Sequence, residues 1–90
     1  MPANSKESLI EYPCDFPIKV MGKNHPDFKP AVIHICHQFD DQFDPSTIEV
    51  RNSKENHYLG LTVMIHATSR EQLDEIYRTL STHPMVSVVL

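Results

Sequence analysis

Residues 57–67 read His57-Tyr58-Leu59-Gly60-Leu61-Thr62-Val63-Met64-Ile65-His66-Ala67. Large aliphatic side chains stand at every second position from Leu59 to Ile65, and mostly polar or small residues lie between them. Successive side chains of a β-strand point to opposite faces of the sheet. The alternation therefore predicts a long strand with one buried face and one mixed face.

The segments on either side of this strand show a regular order of patterns. Upstream, residues 16–22 alternate, residues 28–39 have apolar positions at helical spacing, and residues 47–51 alternate again. Downstream, residues 69–80 are helical in pattern and residues 86–90 are extended. The order β-α-β-β-α-β predicts an α+β fold, a ferredoxin-like sandwich. Its four-stranded antiparallel sheet would carry both helices on one face, with the second and fourth strands at the edges.

Start signals and apolar stripes place the two helices. Asn24 or His25 is the expected cap of the first helix, and Thr68 or Ser69 opens a capping box for the second. The stripes of both helices face the alternating strands across one core. The predicted core consists of Phe16, Ile18, Val20, Val32, Ile35, Phe39, Leu61, Val63, Ile65, Leu73, Ile76, Leu80 and Val88.

Length and composition bound the class of protein. Ninety residues suffice for one domain, which we place at residues 15–90 behind a flexible lead-in at residues 1–14. A formal net charge of −4 gives no general attraction to nucleic acid. No stretch has the length and apolarity of a membrane span or a secretory signal. Two cysteines are too few for a disulfide framework. We therefore expect a cytoplasmic protein with no nucleic-acid or membrane partner.

The sequence lacks the groupings that catalysis or metal binding needs. His34 and His37 flank Cys36, but a structural metal site needs further ligands, and Cys36 belongs to the apolar stripe. Cys14 has an acidic neighbour, which disfavours its thiolate, and two glycines provide no phosphate-binding loop. The two pairs of adjacent carboxylates, Asp40-Asp41 and Asp74-Glu75, are expected on the solvent-exposed surface. We predict no catalytic residues, no metal and no cofactor.

The open face of the predicted sheet and its last strand suggest docking. Met21, Thr62 and Met64 would lie on the open face, and adaptable methionines suit contact surfaces. The last strand, ending in Val89 and Leu90, carries no charge at a sheet edge, where charged residues usually discourage pairing. These five residues are the predicted interface. The alternative is a sheet face that is partly exposed to solvent and binds no partner, because antiparallel sheets often have one solvated face.

Several short motifs resemble one known family. They are the stretch at residues 16–22, Asn56-His57-Tyr58, Ile65-His66-Ala67-Thr68 before Glu71-Gln72-Leu73 and Ile76-Tyr77, and Val88-Val89-Leu90. In order and spacing, over residues 9–90, they resemble the YbeD family of small bacterial proteins. The resemblance implies a bacterial cytoplasmic protein with a βαββαβ fold, similar to ACT-type domains that bind amino acids, and it supplies no catalytic residues.

The likeness to ACT-type domains also implies a ligand site. It would lie in the loop after the first strand, at Gly22, Lys23 and Asn24, although the Pro-Gly pair usual there is missing. Backbone N–H groups at the start of the first helix would then hold a carboxylate.

Three functions remain open from the sequence. The favoured one is a non-enzymatic protein-interaction or regulatory module that binds a protein partner or a second copy of itself. The alternative is an ACT-like domain that senses a small metabolite such as an amino acid. RNA binding is the third, because RNA-recognition domains share this topology, but Tyr58 is the one aromatic residue expected on the open face.

Overall fold

Four strands and two helices follow one another in the predicted order in the computed structural model, which describes residues 11–90. The fold class is confirmed. Residues 1–10, most of the predicted lead-in, lie outside the described part of the chain. The strands are β1 (Cys14–Lys23), β2 (Glu49–Asn52), β3 (Tyr58–Ala67) and β4 (Val86–Val89), the helices are α1 (Phe28–Phe39) and α2 (Arg70–Ser81), and a 3-10 turn covers Pro45–Thr47.

The sheet is antiparallel, with β1 and β3 at its centre and the strand order β2-β3-β1-β4. Ten residue pairs join the central strands, from Cys14 opposite Ala67 to Lys23 opposite Tyr58. The predicted edge positions of the second and fourth strands are confirmed. Within residues 11–90, neither helix has the length and apolarity to span a membrane.

The alternation of β3 assigns its two faces as predicted. Leu61, Val63 and Ile65 are buried, whereas Met64 and His66 are exposed. Both helices pack on the buried face, and burial of apolar surface there supplies the main driving force for folding. Phe16 and Phe39 are partly buried, and Phe28, Cys36, Phe43 and Ala67 join the core beyond the prediction.

The helix starts differ in detail from the prediction. Helix α1 begins at Phe28 behind Asp27, later than Asn24 or His25 implied. Pro30 therefore lies in the first turn, where its missing N–H costs no helical hydrogen bond. Ser69 caps α2 by accepting a hydrogen bond from Gln72 N at 3.1 Å, which confirms Ser69 as one of the two predicted starts of this helix. The Gln72 side chain in turn accepts from Thr68 N, one residue before the cap.

Strand β4 corrects one core assignment. A β-bulge shifts its register: Met21 pairs with Val88 and the next residue, Gly22, pairs with Val86, so that Ser87 is the extra residue. Val88, predicted in the core, is 44% exposed on the open face, whereas Val89 is partly buried against the core. The prediction for Val88 was wrong because simple alternation does not include the bulge.

Asp40 is also not where the sequence placed it. The prediction put it on the wet surface, but it is 8% exposed at the end of α1. Its carboxylate accepts hydrogen bonds from His66 N at 3.0 Å and Gln42 N at 3.1 Å. Gln72 adds a second link, donating to Phe39 O at 2.8 Å. Together these side chains tie the end of α1 to the end of β3 and the start of α2.

Candidate functional site

The open face of the sheet gathers most of the exposed apolar side chains that the structure describes. Met21 is 40% exposed on β1, Tyr58 and Met64 are 47% and 43% exposed on β3, and Val88 is 44% exposed on β4. Leu90, just after β4, is 65% exposed and lies opposite Lys19 on the same face. Among large hydrophobic residues of the described chain, Val50 is the further exposed one, and it lies on the other side of β2. Such clustering marks an interaction surface more than single exposed residues do.

Gly60 creates a depression in this face. It lies on β3 between Arg51 of β2 and Met21 of β1 and contributes no side chain. The depression has a volume of about 510 Å³. The side chains around it are those of Lys19, Met21, Glu49, Arg51, Tyr58 and Leu90. Apolar side chains together with a few polar groups are typical of the lining of a binding site.

The charges on this face differ in sign from those of the whole chain. The face carries three cationic side chains, Lys19, Lys23 and Arg51, and two acidic ones, Asp15 and Glu49. The formal side-chain charge of the face is therefore +1, whereas that of the whole chain is −4. No ion pair or side-chain hydrogen bond within residues 11–90 engages the three cations. Asp15 lies 3.7 Å from His66 Nδ1. Three cationic groups on this face are thus available to a partner.

The outer edge of β4 borders the open face. Leu90 N donates to Lys19 O at 2.8 Å, and Lys19 N donates to Leu90 O at 3.1 Å. In an antiparallel ladder the next residue then directs its main-chain groups away from the partner strand. Val89 therefore presents its N–H and C=O to the outer edge, while its side chain packs toward the helices. No strand of the described chain pairs with that edge.

The predicted interface residues thus divide between two places. Met21, Thr62 and Met64 lie together on the open face, and Leu90 extends this surface beyond Val88. The side chain of Val89 does not belong to this surface, because it packs against the core. Arg51, Gly60, Tyr58 and Val88 belong to the surface but were not predicted as interface residues. The alternation of β3 already placed Gly60 and Tyr58 on the open side. No face was predicted for Arg51, and Val88 needed knowledge of the bulge.

The structure does not bring the three predicted ligand residues, Gly22, Lys23 and Asn24, together around one space. Gly22 and Asn24 make contacts inside the protein, and Lys23 is exposed. A Cβ at Gly22 would overlap Met85 O and would lie 2.5 Å from Phe28 Cε1, so neighbouring atoms already fill that space. Asn24 N donates to His57 O at 3.0 Å, and Asn24 Nδ2 donates to Asn56 O at 2.8 Å, which fixes the β2–β3 loop. Lys23 is exposed opposite Tyr58. These three residues form no joint cradle, and ligand binding there stays a prediction.

The thiol and imidazole groups considered for catalysis or metal binding make contacts inside the protein. Burial raises the pKa of the Cys36 thiol to about 12, and the nearby Asp40 carboxylate adds to the rise. This thiol stays protonated near neutral pH and is a poor nucleophile. His37 Nε2 lies 3.0 Å from Phe43 O, and its ring meets Phe43 edge-on. No group of three or more His, Cys, Asp or Glu side chains suited to a metal occurs within residues 11–90.

The fold and the open face define a small ferredoxin-like α+β domain with one sheet face that no helix or strand of residues 11–90 covers. Residues 7–90 match the family model described as "Protein of unknown function (DUF493)". The chain belongs to this family, the DUF493 or UPF0250 proteins of bacteria, which agrees with the YbeD-like resemblance.

Several relatives match nearly the whole chain. A UPF0250 protein of Bordetella pertussis is 61% identical over 85 residues, covering 94% of this chain and 93% of its own. A UPF0250 protein of Nitrosomonas europaea is 52% identical over 86 residues, covering 96% and 99%. The solution structure of protein HP0495 from H. pylori has a TM-score of 0.74 at 19% identity and covers 100% of this chain and 94% of its own. That similarity supports the fold.

Proposed function

We propose that the protein is a non-catalytic interaction module that binds a protein partner through the open face of its sheet. The observation that carries the proposal is the clustering of Met21, Tyr58, Met64, Val88 and Leu90 on one face. Burial of such side chains contributes roughly 25 cal/mol per Å² of apolar area removed from water. The other face of the sheet is occupied by both helices, and no helix or strand of residues 11–90 lies on this surface.

The outer edge of β4 supports the same function. A partner strand added there would pair with the main-chain groups of Val89 and would lie beside Leu90 and Val88. Main-chain pairing then supplies affinity, and side chains on the open face supply specificity. A regulatory role follows if the partner is an enzyme whose activity changes on binding.

Affinity capture with matched variants tests the proposal. Met21→Asp and Met64→Asp each place an unpaired carboxylate in the proposed interface, which is costly to bury. Val50→Asp is the control, because Val50 is similarly exposed, at 47%, on the other side of β2. We expect wild type and Val50→Asp to retain the same protein from a bacterial extract, and both methionine variants to retain about tenfold less, a change of about 1.4 kcal/mol.

Sedimentation velocity separates self-association from binding to another protein. A wild-type oligomer that dissociates in Met21→Asp but not in Val50→Asp would identify a second copy as the partner. Equal retention by all variants would contradict docking through this face. So would a monomeric wild type that enriches no protein.

A further inference from the structure

We infer that the depression over Gly60 is an anchor pocket for a partner segment that carries an apolar side chain next to acidic residues. The inference rests on the proposed docking function and adds the chemistry of the partner. Gly60 leaves the space, and Met21, Tyr58 and Leu90 give it an apolar wall. An apolar side chain of the partner could enter this space and be removed from water without displacing any atom of the protein.

The surrounding charges favour an acidic segment. Lys19 and Arg51 lie diagonally across Gly60 and Thr62, and Lys23 extends the cationic border beside Tyr58. Glu49 is the one acidic side chain among the described residues that line the depression. Carboxylates on either side of the inserted group could therefore each reach a cation that has no partner within residues 11–90.

The same charges disfavour a second copy placed face to face. A two-fold interface brings the same patch of both subunits together. Each copy would bring a side-chain excess of one positive charge into the interface, and such an excess of like charge costs affinity. The depression is also continuous with Met21 and Leu90 along the face and reaches toward the edge of β4. A chain segment can use that extended surface, whereas a small molecule fills the depression alone.

Titration of the isotope-labelled full-length protein with short peptides tests this chemistry. The probe is acetyl-Glu-Phe-Glu-amide, followed through backbone amide resonances. We expect saturable shifts at Gly60, Thr62 and Arg51 below about 10 mM, the range of a single weak anchor. Acetyl-Lys-Phe-Lys-amide and acetyl-Glu-Ala-Glu-amide should each bind at least about tenfold more weakly, because one has the wrong charge and the other lacks the anchor.

Variants of the protein locate the bound probe. Gly60→Val should abolish the shifts. A Cβ at Gly60 makes ordinary van der Waals contacts with Arg51 O at 3.6 Å and Met21 Cγ at 3.9 Å, and we expect the two further methyl groups to occupy the depression. Ser87→Val adds the same side chain at the exposed bulge of β4 and should leave binding unchanged. Lys19→Gln and Arg51→Gln should weaken binding several-fold. Lys54→Gln, in the exposed β2–β3 loop, should not.

The following results would contradict the anchor pocket. Equal binding of the acidic and basic peptides excludes charge selection, and binding that survives in a folded Gly60→Val variant excludes the depression. Phenylpropionate binding tenfold more tightly than the peptide would identify a small-molecule acid site. A wild-type dimer that Gly60→Val dissociates would identify a second copy. If the peptide fails while Met21→Asp still loses a captured partner, docking stands and the anchor pocket does not.

Discussion

Two glycines at the same kind of strand position have opposite structural roles. Gly22 on β1 faces the helices, where Phe28 and the carbonyl of Met85 approach closely enough to exclude a side chain. Gly60 on β3 faces outward, and a Cβ there would make ordinary van der Waals contacts. The alternation of β3 already placed Gly60 on the open side, but the pattern did not show that the position of Gly22 excludes a side chain. Gly22 is thus a packing requirement, whereas Gly60 is available for function.

Alanine substitution at the two glycines should therefore have very different effects on stability. We expect Gly22→Ala to lower the free energy of unfolding by about 3 kcal/mol, the upper part of the usual range for overpacking a core. Gly60→Ala should change it by less than about 0.5 kcal/mol, because the added methyl group makes ordinary contacts on the outer side of the sheet. Urea denaturation followed by circular dichroism measures both. A Gly22→Ala variant as stable as wild type would contradict the close contacts with Phe28 and Met85.

At the scale of elements, the bulge in β4 decides which side chains the last strand presents to each face. It turns Val88 to the open face and Val89 toward the helices, a consequence of one extra residue between Val86 and Val88. A shift of one residue exchanges the two faces of a strand. The sequence of β4 is uniformly apolar around Ser87, so it carried no polar alternation that could report the shift.

Lysine substitutions in β4 test this register. Val89→Lys should lower the free energy of unfolding by about 2 kcal/mol, because it moves a charge toward the core and removes an apolar contact. Val88→Lys should cost less than about 0.5 kcal/mol, since that side chain is already 44% exposed. Thermal and urea denaturation of the pair give the comparison. The reverse order of stability would show that the bulge is misplaced.

At the scale of the whole molecule, polar side chains join the helical layer to the sheet. Asp40 and Gln72 make these links between the end of α1, the end of β3 and the start of α2. The capping motif predicted part of the role of Gln72, which also accepts a hydrogen bond from Thr68 N at 2.7 Å. The role of Asp40 depends on His66, 26 positions later in the chain, and no local pattern contained it.

Removal of the Asp40 carboxylate should weaken this connection. Asp40→Ala leaves His66 N–H and Gln42 N–H without their acceptor, and we expect a loss of about 2 kcal/mol in the free energy of unfolding. Asp41→Ala is the matched control: Asp41 is exposed and adjacent, and its replacement should cost less than about 0.5 kcal/mol. Equal urea midpoints for the two variants would contradict a structural role for Asp40.

The sequence by itself determined the fold class, the order of the elements and the two faces of the central strands. It could do so because helical and strand periodicity are local properties of a chain, and Leu61, Val63 and Ile65 express the strand period without interruption. It also placed Met21, Thr62 and Met64 on the open face, since these positions follow from the same alternation.

The tertiary structure decided the shape of the candidate site. The side chains around Gly60 come from β1, β2, β3 and the end of the chain, and their proximity depends on strand order and register. The bulge that exposes Val88 arises where β4 meets β1, and the burial of Asp40 depends on a contact with β3. Such contacts form between segments far apart in the sequence, so they depend on how the elements pack and not on any local pattern.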